Sequence, residues 1–450
     1  MPTHTRRTFL RASGALVGGI AASGTVTAAT RTDRYLVDLR RNADLGGVEV
    51  VHDLRRIGYA VVRASRSEAE ALGTAVPDLE LRLKEPETNG RAPRAEAVTA
   101  ADEPLYPLQW DKQALDVEAA HEVTTGEGTR VAVIDSGVDA GHPDLDVNVD
   151  LSRNFTDDGA GAGVPAGGDH GTHVAGIVAA LDNETGVVGT APATDLIDCR
   201  VFSDEGGASF GDVLAAIAYA AEIDADVANL SLGAYPVPRR AVETADGETS
   251  TFGSFYGKVL NRVMTAANRE GTLLVISAGN DGANLQNDVG ERIDLDGDGD
   301  AEYLSGGYWI SLPNEGAQAL SVSATGPIGF RWGKEGLREP PESPAFYTNY
   351  GTNAVTLGAP GGDADLSAIG TDAAWYYDLV LSTVPGGYGW KAGTSMAAPN
   401  VAGAAALVKS ANPEYGANQV EAALKRAATV PEGYDRAYYG SGFLNVVDAL

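Results

Sequence analysis

Apolar positions divide this chain into two zones with different rhythms. From about residue 105 onward, short unbroken apolar runs alternate with longer stretches whose apolar residues recur every three or four positions. RVAVID (130–135), DLIDCRVF (195–202), ADVANLSL (225–232), TLLVISAGN (272–280) and ALSVSAT (319–325) read as strands. HGTHVAGIVAAL (170–181), FGDVLAAIAYAAEI (210–223), YGKVLNRVMTAANREG (256–271) and TSMAAPNVAGAAALVKSA (394–411) read as helices. Strands without a polar face, separated by helices, predict an α/β fold: a doubly wound parallel sheet with helices on both faces. In such a sheet, sites lie beyond the carboxyl ends of the strands.

The upstream zone is shorter and mixed. RYLVDL (34–39) and YAVVRA (59–64) predict strands and SRSEAEALGTA (65–75) a helix, so residues 30–83 form a small α+β domain. KEPETNGRAPRAEAVTAADEP (84–104) has no apolar periodicity and the composition of an exposed, easily cut linker. At the start, TRRTFLR (5–11) precedes the weakly apolar ALVGGIAASGTVTAA (15–29), the pattern of a removable export signal. Arg6-Arg7 followed by Phe9-Leu10 resembles a twin-arginine signal over residues 1–29. The apolar run is too short and Gly-rich to span a bilayer well. The expectation is a protein secreted to the extracellular side, with no membrane partner after export.

Charge narrows the partners. The 450 residues carry a formal charge of −29, and only seven of the 33 cationic side chains are Lys. Such a surface repels nucleic acid and anionic membranes. It also suits a protein kept hydrated in concentrated salt, where long-range repulsion is screened. Cys199 is the only cysteine, so the chain forms no internal disulfide. A monomer is expected.

Four polar residues stand where strands end or helices begin. Asp135 closes RVAVID, and Asn280 closes TLLVISAGN. His170 opens one helix, and Ser395 opens another after Gly393-Thr394. Each has a plain structural reading: Asp and Asn make turns, and Ser caps helices. His173 lies three residues after His170, but the Glu-containing i, i+4 pair of a zinc helix is absent, so His173 is read as structural and His170 as reactive. An α/β-hydrolase elbow needs Gly at position 397, which is Ala. The chain order Asp135, His170, Ser395 is the one subtilisin uses for acyl transfer.

VIDSGVD (133–139), HGTHVAG (170–176) and GTSMAAP (393–399), in this order, resemble the subtilisin-like serine proteases over about residues 105–450. With the acidic bias and the export signal, the chain is similar to the secreted halolysin-type proteases of salt-loving archaea. The resemblance implies that Ser395 attacks the scissile carbonyl, His170 transfers the proton, and Asp135 orients the imidazole. It implies an oxyanion hole of the Asn280 side chain and the Ser395 N–H, and a substrate-pairing segment at Ser231, Leu232 and Gly233. Polypeptides are the implied substrates, and residues 30–83 an intramolecular propeptide inhibitor and folding aid, with processing in the linker. Asn400 stands where the family usually has His. The alternative is a catalytically inactive relative that keeps the fold as a binding module.

Two segments suggest structural calcium. ALDNETGVVG (180–189) resembles a family calcium loop, with oxygens from Asp144, Asn183 and the carbonyls of Leu181, Thr185 and Val187. In DLDGDGDAEYLS (294–305), Asp294, Asp296, Asp298 and Gly299 match the first half of an EF-hand-like loop, with Asp300 as a further candidate ligand, although position twelve is Ser305. Stretches at about 234–257, 281–308 and 327–344 read as insertions into the minimal family pattern.

Overall fold

A computed structural model describes residues 30–39, 43–82, 103–238, 242–243, 249–250, 252–286, 291–293, 302–304 and 309–450. The signal at 1–29, most of the linker and the Asp294–Asp300 segment lie outside the described residues.

The small domain has four strands and one helix: β1 (Thr30–Leu39), β2 (Glu49–Leu54), β3 (Tyr59–Arg63), α1 (Arg66–Leu72) and β4 (Gly73–Arg82). Helix α1 starts where the sequence signals it. Ser65 accepts from the Glu68 N–H while the Glu68 carboxylate accepts from the Ser65 N–H, a complete capping box. The sequence reading missed β2 and β4, and it extended the helix into Gly73–Ala75, the first residues of β4.

In the body, α2 (Trp110–Ala114) and α3 (Val117–His121) lead into β5 (Arg130–Asp135), β6 (Arg153–Asn154), α4 (His170–Ala179), β7 (Asp195–Arg200), β8 (Gly207–Ser209) and α5 (Phe210–Glu222). Then follow β9 (Val227–Leu230), β10 (Ala234–Pro238), the short pair β11 (Val242–Glu243) and β12 (Thr249–Ser250), α6 (Phe252–Glu270) and β13 (Leu273–Ser277). The rest comprises β14 (Glu291–Ile293), β15 (Glu302–Leu304), β16 (Trp309–Leu312), β17 (Ala319–Thr325), β18 (Leu357–Pro360), β19 (Val380–Val384), β20 (Gly387–Lys391), α7 (Thr394–Ala411) and α8 (Ala417–Ala427).

The central sheet runs β18-β17-β13-β9-β5-β7-β6, and each of its pairings is parallel. Alternate residues sort the two faces. Val131, Val133, Val275 and Val322 pack with α4 and α7, whereas Ala132, Ile134, Leu230 and Ile276 pack with α5 and α6. The sheet is doubly wound, as the unbroken apolar runs predict.

The small domain docks on this body by extending its own sheet onto β8, a body strand outside the central sheet. β4 pairs antiparallel with β8, Glu80 opposite Ser209 and Arg82 opposite Gly207, giving the order β2-β3-β1-β4-β8. Leu36, Leu54, Tyr59, Val61 and Leu79 share one apolar cluster with Phe155, Phe210, Val213 and Leu214 of the body.

The insertion at 327–344 is organised from a distance. Buried Asp378 accepts from the N–H groups of Gly329 (3.0 Å) and Phe330 (2.7 Å) and from Trp332 Nε1 (2.8 Å). The Asn400 departure also has a physical setting. Fully buried Lys112 donates to Asn400 Oδ1 (2.6 Å), Thr190 Oγ1 (2.9 Å) and the Ile177 carbonyl (3.0 Å), joining α4 to α7. An amide supplies the acceptor that an ammonium needs.

Candidate active site

The carboxyl end of β5 and the first turn of α4 meet because two glycines leave no side chain between them. A Cβ on Gly171 would come within 2.5 Å of the Gly137 carbonyl, and one on Gly137 within 2.4 Å of the Val164 carbonyl. Gly137 also has φ 102°, a conformation that only Gly adopts without cost. The close approach is sealed by Ser136 Oγ, which accepts the Gly171 N–H at 2.9 Å.

His170 Nδ1 therefore lies 2.8 Å from Asp135 Oδ1. The same oxygen accepts the Ser136 N–H at 2.7 Å. Asp135 is fully buried, and its Oδ2 and His170 Nε2 are both buried with no hydrogen-bond partner. A carboxylate on Nδ1 selects the tautomer with the proton there and leaves Nε2 a lone pair. Behind Asp135 on β7, buried Asp198 accepts the Gly163 N–H at 2.9 Å, and its pKa is pushed up to about 7 by burial, with the Asp135 charge adding.

His173 is structural, as expected. Its Nε2 meets the carbonyls of Gly389 (3.0 Å) and Val380 (3.2 Å). Burial, reinforced by the Lys391 charge, holds its pKa down to about 3. Asp169 pairs with Lys391 at 2.7 Å, clipping the segment before His170 to the segment before Ser395. Burial opposes ionisation of Asp169, but the Lys391 charge and hydrogen bond keep its pKa below the ordinary value.

Ser395 occupies the first turn of α7 and is buried. Its Oγ donates to the Ser231 carbonyl at 3.2 Å, and Ser231 Oγ donates to the Ser395 carbonyl at 2.7 Å. The structure thus brings Asp135 to His170 directly, and Ser395 to Ser231. Asn280 is anchored beside this turn: its Oδ1 accepts from Thr394 N–H and Thr394 Oγ1, both at 2.9 Å. Since a backbone N–H only donates, the atom facing it must be the amide oxygen. The Asn280 NH2 therefore points the other way, on the side of Gly393, where a Cβ would sit 3.4 Å from Nδ2. Ser231, Leu232 and Gly233 follow β9 without belonging to a strand, and both the carbonyl and the Oγ of Ser231 face Ser395.

The 181–187 loop gathers more acid than the sequence reading assigned. Asp144 Oδ2 accepts the Val187 N–H at 3.1 Å, and Asn183 Nδ2 donates to the Pro143 carbonyl at 3.3 Å. Glu103 Oε1, at the end of the stretch read as linker, accepts from Asn183 N (2.6 Å) and Glu184 N (2.7 Å). Asp144 Oδ1 and Glu103 Oε2 are buried without hydrogen-bond partners. Burial, with the nearby Glu103 charge, pushes the Asp144 pKa up to about 7. No local signal marked Glu103, because its partners lie about 80 residues away.

Residues 126–442 match the Subtilase family. The chain is 32% identical to an intracellular serine protease of Paenibacillus polymyxa over 341 residues, 74% of this chain and 83% of that protein. It is 31% identical to subtilisin Savinase of Lederbergia lenta over 344 residues, 75% of this chain and 97% of the relative. The crystal structure of the epidermin leader peptide processing serine protease of Staphylococcus aureus superposes with a TM-score of 0.69 at 21% identity, covering 92% of this chain and 97% of that one.

Proposed function

The chain belongs to the subtilase family and is a serine endopeptidase, and we propose that Asp135, His170 and Ser395 are its catalytic triad, with Asn280 in the oxyanion hole. The observation that carries this reading is His170 itself: Nδ1 is fixed by Asp135 while Nε2 is buried and unpartnered. The reaction requires Ser395 Oγ to exchange its bond to the Ser231 carbonyl for one to Nε2. Nε2 then takes the Oγ proton as Oγ attacks the scissile carbonyl. The Ser395 N–H and the Asn280 amide donate to the oxyanion as it forms. On collapse, the amine leaves with the proton from Nε2 and the acyl group stays on Oγ. Water then repeats the sequence with His170 as base and frees the acid. Asp135 stays ionised throughout and stabilises the imidazolium.

Labelling by a fluorophosphonate probe tests the reading. Processed wild type should label and Ser395→Ala should not; an unlabelled processed wild type would refute it. An inactive binding module is not favoured, because the Asp135–His170 pair, the Ser395 hydroxyl and the Asn280 amide are all retained and the relatives are serine proteases.

The small domain, 30–83, is proposed to act as propeptide inhibitor, cut from the body within the linker. Its support is the antiparallel pairing of Glu80–Arg82 with β8, an edge that an extended peptide can also use. Ser231–Gly233 is proposed to line the same cleft. Calcium is proposed at the 181–187 loop. Asp144, Asn183, the carbonyls of Leu181, Thr185 and Val187, and Glu103 fit a hard cation, and two orphaned buried carboxylate oxygens support it. A bound ion would ionise Asp144 and tie the loop to the N-terminal segment. Chelation should lower the thermal midpoint, and an unchanged midpoint would remove the ion from the account. Export by a twin-arginine route and adaptation to concentrated salt, as in halolysins, are proposed on Arg6-Arg7 and on the charge of −29.

A further inference from the structure

We propose that the body recognises the small domain through a buried charge lock centred on Asp212, which keeps the small domain bound as a non-covalent partner after the junction is cut. The proposal rests on the zymogen reading above and adds what holds the inhibitor. Asp212 lies in the first turn of α5 and is buried. Its Oδ1 meets the guanidinium of Arg34 on β1 and, at 2.7 Å, His52 Nε2 on β2. Arg34 Nε lies 2.7 Å from Asp78 Oδ2 on β4. Asp78 accepts Ser209 Oγ at 2.8 Å and the Gly211 N–H at 2.9 Å, both from the body. Arg34, Asp78 and Asp212 are at most 3% exposed and His52 8%.

The two sides match in opposite senses. The body presents one carboxylate and the N-terminal turn of α5; the small domain presents a guanidinium, an imidazole and a carboxylate. An apolar ring of Leu36, Tyr59, Leu79, Phe210 and Val213 keeps water from the cluster. A docking domain without a cation at this point would leave Asp212 buried and unpaired, which is strongly unfavourable. Other cross-pairs sit at the rim: Arg63–Asp157 (2.7 Å), Lys258–Asp38 (2.7 Å) and Arg56–Glu270 (3.6 Å), each partly exposed. Salt screens exposed pairs and leaves buried ones nearly intact. In concentrated salt, attachment therefore falls to the lock.

The test uses the full chain. In wild type, the cut small domain should co-elute with the body on size exclusion in both dilute and concentrated NaCl. Asp212→Asn, which keeps the shape, and Arg34→Met should be cut normally yet shed the small domain on the order of a hundredfold faster, with a shorter lag before activity. Arg63→Gln should weaken retention only in dilute salt. A cut Asp212→Asn chain that holds the small domain as long as wild type overturns the lock. Wild type that is never cut overturns the zymogen reading instead. In that case the uncut Ser395→Ala chain decides the lock: hydrogen exchange in β1 and β4 should rise on adding Asp212→Asn, and unchanged exchange overturns it.

Discussion

The two ends of the seven-stranded sheet carry carboxylates of opposite character. At the amino ends, Asp195 accepts from Arg130 Nε (2.7 Å) and Asn148 Nδ2 (2.9 Å), and Asp226 accepts the Arg130 N–H (3.0 Å), in an open pocket. These acids have protein donors and are part-exposed. At the carboxyl ends, Asp135 is buried with one orphaned oxygen and holds His170, whose Nε2 is also unpartnered; Asp198, two residues before the end of β7, is likewise buried with one orphaned oxygen. Buried polar atoms without partners are uncommon, and the one at His170 Nε2 is where the proposed mechanism places the transferred proton. The amino end is open to solvent; the carboxyl edge is the one proposed to react.

Substitutions at each end break or sharpen that contrast. Asp135→Ala should lower kcat by about 10⁴-fold in a peptide assay, the size of the effect in subtilisin, a relative. A smaller fall, below about tenfold, would place the base elsewhere. Asn280→Ala should cost ~10²–10³ in kcat with little change in KM, again the figure for subtilisin itself. An increase confined to KM would make Asn280 a binding residue.

Asp198 sharpens the contrast in stability. Its folded pKa of about 7 lies above the ordinary carboxylate value, chiefly through burial. The native state then holds more protons than the unfolded state between about pH 4 and pH 7, so stability falls as pH rises through that window. Asp144 contributes in the same direction in the metal-free chain and should cease to do so in calcium, which favours its ionised form. Urea denaturation of Asp198→Asn should show a shallower decline over this window and a gain of a few kcal/mol at pH 8; an unchanged slope would mean that the acid is already ionised. At the other end, Asp195→Asn should shift stability by no more than about 0.5 kcal/mol and leave kcat unchanged, as exposed pairs do. A kinetic effect there would erase the distinction between the edges.

Much of this was readable beforehand. Asp135, His170 and Asn280, the residues proposed for the site, stand out in the sequence because each interrupts an apolar pattern at the end of a strand or the start of a helix. The doubly wound sheet followed from strands without a polar face. The β8 edge, Glu103 and the Lys112–Asn400 contact were not readable. Gly207–Ser209 is too short to show a period, Glu103 sits in Pro- and Glu-rich sequence, and Lys112 looks like a surface residue until burial is known.

Local pattern by itself determined which residues line each face of the longer central strands and helices and which ones stand at the rim. It did so because burial imposes periods of 2 and 3.6 directly on the chain. Tertiary structure alone decided which buried polar atom faces which. Arg34 reaches Asp212 across 178 positions, and Ser395 turns to Ser231 across 164. Such pairings are set by how layers stack, and no spacing along the chain encodes them.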